Sequence, residues 1–203
     1  MIKKKLTNRK KRAAATRQKI FNTAIKLFKK NGYKRVTVDD ICNKAGVSKG
    51  AFYLYFKSKD MVILNQLVMS EKTFNEYMVK ELNQHSSVVE NLLLLGKKII
   101  SYTSELGIDS TQVLYGILIN PNEKNASFIS QTVQYHRLLE KLIEEGQAKG
   151  EITCDVSKDN IIQMFYYCGR GIVFHWCCLD GKFDLVKESE KMFNLIMKGL
   201  RPQ

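Results

Sequence analysis

The segment from Thr37 to Lys59 leaves room for little except two short helices meeting at a turn. Thr37-Val-Asp-Asp40 has the form of a capping box, in which the Thr37 hydroxyl caps the helix start and Asp40 reaches back to it. Ile41, Cys42 and Ala45 then fall inward, and Gly46-Val47 makes a tight turn. Ser48 can cap a further short helix to about Phe56, with Phe52 and Phe56 one turn apart on its core face. Ser58 caps a fourth helix that begins near Lys59. Upstream, from about Ala13 to Lys30, Ile20, Ala24, Leu27 and Phe28 recur on one helical face, and Asn31-Gly32 ends that helix. Three helices, the last two short and joined by a glycine turn, match the helix-turn-helix pattern, with the first helix as its hydrophobic platform.

Charge singles out the same region. Residues 1–60 carry 18 Lys and Arg against 3 acids, a net of +15, whereas the whole chain of 203 residues carries +13. The remainder is therefore slightly acidic. Solubility alone would not segregate charge in this way; contact with a polyanion would. Residues 1–12 form a basic arm without apolar periodicity, expected to be disordered when free. It either tracks DNA or is merely solvated.

From residue 59 onward the chain reads as helical throughout, over about 59–83, 87–106, 110–119, 125–148, 157–179 and 184–199. Breaks fall at Pro121-Asn122, Lys149-Gly150 and Asp180-Gly181-Lys182. Only 2 prolines and 12 glycines interrupt the chain, and 44% hydrophobic residues suffice for a core. The expected fold is all-α with about nine helices. A basic flexible arm (1–12) precedes a helix-turn-helix domain (13–58), and a helical domain (59–203) follows.

The run Ile161 to Leu179 is long and apolar, but Gln163, Arg170, His175 and two glycines make a buried interface helix the better reading than a membrane span. The N-terminus shows no apolar leader. Five cysteines at 42, 154, 168, 177 and 178 lack metal-finger spacing, so reduced thiols in a cytoplasmic protein are expected.

The most specific motif is Ala45-Gly-Val-Ser-Lys-Gly-Ala-Phe-Tyr-Leu-Tyr-Phe-Lys-Ser-Lys59. With Arg17-Gln-Lys-Ile-Phe-Asn-Thr-Ala-Ile-Lys-Leu-Phe and Gly32-Tyr-Lys-Arg-Val-Thr-Val-Asp-Asp-Ile, it resembles the TetR family of bacterial transcriptional regulators over about residues 13–65. A recognition helix enters the major groove end first, so its early residues need to be small or able to read bases. Lys49, Gly50 and Ala51, capped by Ser48, fit that demand. Ala51 suits a thymine methyl, Lys49 a guanine edge or a phosphate, and Leu54 the groove. Tyr53 and Tyr55 can hydrogen-bond phosphates. Lys59 and Thr37 each stand at a helix start, where phosphate binds readily. The resemblance implies DNA contact at Thr37, Lys49, Tyr53, Tyr55 and Lys59. Asp39 and Asp40 are read as caps pointing aside.

The resemblance further implies a helical ligand-sensing and dimerisation domain after the helix-turn-helix. One recognition helix offers too little interface, so a homodimer on a palindromic double-stranded operator is expected. Its interface is placed on 157–179 and 184–199, around Gly169, Val173, Met192, Phe193 and Ile196. Pocket candidates are Phe74, Tyr102, Tyr115, Phe128, Tyr135, Phe165, Cys168 and Trp176, for an unknown small, hydrophobic effector. Repression relieved by that effector is the usual family mode, without any cofactor, metal or membrane. Two rivals stand beside it. Cys168, His175 and Cys178 share a helix face, as a thiol or metal sensor would require. An enzyme has no support: there is no phosphate loop, nucleophile elbow or carboxylate pair, and His85, His136 and His175 lack partners at a recognised spacing.

Overall fold

The structure, a computed structural model, describes residues 8–82, 87–119 and 134–202. Within its helices, the side chains of residues 67–77, 79, 134 and 135 lie outside that description, as do the Pro121-Asn122 break, His85 and Phe128. Nine helices occur among the described residues: α1 (Asn8–Asn31), α2 (Val38–Ala45), α3 (Lys49–Tyr55), α4 (Lys59–Leu82), α5 (Val88–Leu106), α6 (Ile108–Ile119), α7 (Gln134–Ala148), α8 (Lys158–Cys178) and α9 (Leu185–Gly199). None of the described helices is long and apolar enough to cross a membrane.

Local chemistry accounts for where most of them begin. Thr37 caps α2 through the reciprocal box: its Oγ1 accepts from Asp40 N at 3.1 Å, and Asp40 Oδ2 accepts from Thr37 N at 2.8 Å. Ser48 caps α3, Ser87 caps α5, Ser157 caps α8 and Asp184 caps α9. The helix α2 ends at Gly46, whose φ of +63° lies in the left-handed region that a side chain would strain.

The chain divides into two compact units, Met1–Gln66 and Leu67–Gln203. The boundary falls inside α4 rather than at 58/59. Long-range bonds place the start of α4 with the first unit: Arg17 of α1 donates to the Asn65 amide oxygen, and the Tyr33 hydroxyl donates to Asp60. The core of this unit holds Ile20, Ala24, Phe28, Ile41, Ala45, Phe52 and Phe56, all nearly or fully buried. Phe52 and Phe56 therefore serve the core, as their spacing indicated. The basic arm needs one correction, because α1 already begins at Asn8 and takes in Arg9, Lys10, Lys11 and Arg12.

In the second unit one continuous apolar cluster runs through α5, α7, α8 and α9, with Leu92, Leu95, Ile143, Ile161, Phe165 and Phe193 among its members. The helix α5 packs chiefly along α9. Gly96 makes that approach possible, since a Cβ there would stand 2.9 Å from the Phe193 ring.

Candidate nucleic-acid interface and effector domain

The first residues of α3 form the exposed end of the helix-turn-helix. Ser48, Lys49 and Gly50 are exposed, Ala51 and Tyr55 half-buried. Tyr53 is 46% and Leu54 71% exposed, in a helix whose Phe52 is wholly buried. One face of α3 is thus spent on the core, and the opposite face presents a phenol, an isobutyl group and an ammonium outward. That placement suits a groove-reading surface.

Two expected contacts are engaged differently. The Lys59 ammonium donates to the carbonyl oxygens of Tyr33 and Val36, each at 2.9 Å, and lies 4.0 Å from the centre of the Tyr33 ring. Burial holds its pKa below the ordinary lysine value, with Asp60 partly opposing. Lys59 therefore ties the turn after α1 to α4, and its side chain is not presented to a phosphate. Burial, and then the bond to Asp60, push the neighbouring Tyr33 phenol up. Thr37 is exposed, but its hydroxyl both accepts from Asp40 N and donates to Asp40 Oδ2 at 2.7 Å, so it is committed to the cap.

Lys49 carries a partner that the sequence pattern does not reveal. Its Nζ lies 2.7 Å from Asp39 Oδ1, with the two side chains 63% and 55% exposed. The hydrogen bond and then the charge of Asp39 raise the Lys49 pKa. Asp40 alone is the cap; Asp39 faces α3. No local periodicity signals a bond between α2 and the start of α3.

In the second unit the pocket candidates scatter. Phe165 and Trp176 are buried in the apolar cluster, Phe165 stacked on Phe193 at 5.8 Å and Trp176 Nε1 bonded to Phe183 O at 3.0 Å. Tyr115 donates from its hydroxyl to Arg170 O at 3.1 Å, and Tyr102 and Cys168 are half-buried. The side chains of Phe74 and Tyr135, and all of Phe128, lie outside the described residues. A cleft of about 170 Å³ between α5 and α9 is lined by Leu93, Leu94, Lys97, Glu190, Phe193 and Asn194, none of them a candidate for the pocket. It is smaller than ordinary ligand cavities, which start near ~300 Å³.

The dimer candidates differ in exposure. Val173 and Phe193 are each 5% exposed, because both face the subunit's own core, and a Cβ added at Gly169 would lie 4.0 Å from the Phe193 ring. Met192 and Ile196 are half-buried beside the same cluster. The outward large apolar groups of these two helices are Met164, Tyr167 and Phe174 of α8 and Leu195 of α9. As for the thiol or metal reading, His175 and Cys178 are exposed and Cys168 is half-buried. No three His, Cys, Asp or Glu side chains among the described residues are placed to hold a metal. Burial pushes the Cys177 thiol up to about 11, away from the reactive thiolate.

Comparison with known proteins decides the family. Residues 20–64 match the family described as "Bacterial regulatory proteins, tetR family", and residues 78–199 match "YsiA-like protein, C-terminal region". The chain belongs to the TetR family. It is a ligand-responsive, DNA-binding transcriptional regulator. Among curated relatives, the fatty acid metabolism regulator protein of Bacillus subtilis is 26% identical over 89% of this chain and 93% of its own length. The crystal structure of the B. subtilis transcriptional regulator FadR in complex with stearoyl-CoA superposes with a TM-score of 0.73 at 26% identity, covering 91% of this chain and 99% of that one. The fatty acid degradation regulator FadR of Bacillus halodurans superposes at 0.70 and 25% identity, over 93% and 97%. For this TetR-family chain the match runs through the effector half as well as the DNA-binding half.

Proposed function

We propose that this regulator is a homodimeric repressor that leaves a palindromic operator when it binds a long-chain fatty acyl-CoA. One observation carries the choice of effector: the end-to-end likeness to a regulator solved with stearoyl-CoA, which extends over residues 78–199 as a separate family match. The apolar interior of the second unit supports it, since each methylene moved from water into such an interior contributes about 0.8 kcal/mol. The dimer rests on the outward apolar side chains. Met164, Tyr167 and Phe174 follow one face of α8, and Leu195, 68% exposed, adds to them from α9. A two-fold dimer carries two copies of α3, and recognition helices related by a two-fold axis call for a palindromic site. Such a regulator works in the cytoplasm.

The test uses the full chain and a duplex isolated from a random-sequence pool by binding. Stearoyl-CoA is expected to release the duplex at micromolar concentration, while free coenzyme A and stearate leave it bound. Unchanged binding in the presence of stearoyl-CoA overturns the effector assignment. The acyl chain reports on the same site: shortening it weakens release stepwise if the apolar interior holds it.

A further inference from the structure

Asn91 stands on α5 in the second unit and is only 6% exposed. Val88, Leu92 and Leu95, all within about one turn of it on that helix, belong to the apolar cluster. Its Oδ1 has no hydrogen-bond partner, alone in this among the buried side-chain oxygens and nitrogens of the described residues. Other buried polar side chains of the unit are served: the Thr111 hydroxyl donates to Gly107 O at 2.9 Å, and the Ser189 hydroxyl to Val186 O at 2.8 Å. A carbonyl oxygen left without a donor in apolar surroundings is costly, and native folds mostly avoid it. A bound molecule that brings a donor removes the cost.

The register of α5 points the same way. With about 100° per residue, Lys98 and Tyr102 fall within roughly 20° of Asn91, one on either side. A polar stripe thus runs along α5 from a buried amide to two half-buried residues. Gly96, which meets Phe193 of α9, lies on another face. Ligand sites are mostly apolar, with a few polar groups that fix orientation. A buried amide among Val88, Leu92 and Leu95 is a group of that kind. The donor it needs narrows the ligand further. An acyl-CoA carries amide N–H groups in its pantetheine arm, whereas its thioester and acyl chain carry none. Entering tail first, it brings the amide nearest the thioester deepest.

We infer that Asn91 is a specificity-determining residue for the effector: its Oδ1 accepts a hydrogen bond from the amide N–H nearest the thioester of an acyl-CoA. A site built around such a bond rejects an analogue that lacks the N–H, because the buried oxygen is then left unpaired. Free fatty acids and simple esters are discriminated against in this way. The inference rests on the acyl-CoA reading above and names the atom by which an apolar domain recognises the polar end of that molecule.

The experiment titrates the full-length wild type and Asn91→Leu, an apolar side chain of similar shape, with two probes in a calorimeter. S-dodecanoyl-N-acetylcysteamine keeps the amide N–H. In the dodecanoyl thioester of 2-acetoxyethanethiol an ester oxygen replaces that N–H and nothing else changes. Stearoyl-CoA and free coenzyme A are titrated alongside, and thermal melts show that each protein folds. The wild type is expected to bind the amide probe about tenfold more tightly than the ester probe, the amount that one net hydrogen bond supplies. In Asn91→Leu the amide probe falls to the level of the ester probe and the preference disappears. Should leucine be too bulky for the site, Asn91→Ala makes the same comparison. Equal affinities for the two probes in the wild type, or the wild-type preference kept by the variant, overturn the inference alone. A wild type that binds stearoyl-CoA no better than free coenzyme A overturns the acyl-CoA reading as well.

Discussion

Lys59 donates to the carbonyl oxygens of Tyr33 and Val36 from the first turn of α4, whereas Lys49 projects into solvent from the first turn of α3. Truncating them should therefore have separable effects. Lys59→Met is expected to lower unfolding stability by about 1–3 kcal/mol in a denaturant titration, because two carbonyls lose a charged donor. Lys49→Met should leave the unfolding midpoint in place and weaken duplex binding. Asp40 adds a pH dependence. The Thr37 hydroxyl and backbone N–H hold its carboxyl below the usual value, so its folded pKa lies below its unfolded one. The stabilisation is then complete above the unfolded value, near pH ~4, and is lost as pH falls through the folded value. The melting temperatures of wild type and Asp40→Asn should differ most above pH ~5 and converge as the solution is acidified below pH ~4.

At the scale of elements, the start of α1 is electrostatically unfavourable. Its first turns hold Arg9, Lys10, Lys11 and Arg12 and no acid, although a helix N-terminus favours negative charge. A bound polyanion offsets that repulsion. Removing residues 1–12 is expected to weaken duplex binding and to lower the slope of log K against log salt by about 0.9 for each phosphate that these cations neutralise. A slope unchanged by the deletion would assign these cations to solvent alone. The helix α4 is fastened at its beginning from several directions: Lys59 to the turn at 33–36, Asp60 to Tyr33, and Asn65 to Arg17. Its first turns therefore belong to the same packed unit as α1 to α3.

For the molecule as a whole, assembly turns on which side chains of α8 and α9 face outward. Leu195→Asp puts a charge on a side chain that is 68% exposed and has no role in the subunit core. The variant is expected to fold with an unchanged helical spectrum, to sediment as a monomer, and to lose at least about tenfold in affinity for a palindromic duplex. Phe193→Asp would be no equivalent test, because Phe193 is buried against Phe165 and Gly96 and its loss removes the core with the interface.

The helices, their caps and the helix-turn-helix were legible in the sequence because they arise from neighbours within about four residues. Thr37 with Asp40, Ser48 with Ala51, and the turn at Gly46 are all bonds of that kind. The family followed from the same stretch, since its motif is contiguous. Sequence alone picks out Met192, Phe193 and Ile196 on α9 and passes over Leu195. Only the packing of α5 along α9 turned Phe193 inward and left Leu195 outside. The sequence likewise placed Lys59 at a helix start and Asp39 near a cap. Their partners, Tyr33, Val36 and Lys49, come from other elements and meet them only when the unit closes. Local bonding determined the elements of this regulator, and long-range packing decided which of its charges and apolar groups are left to face a partner.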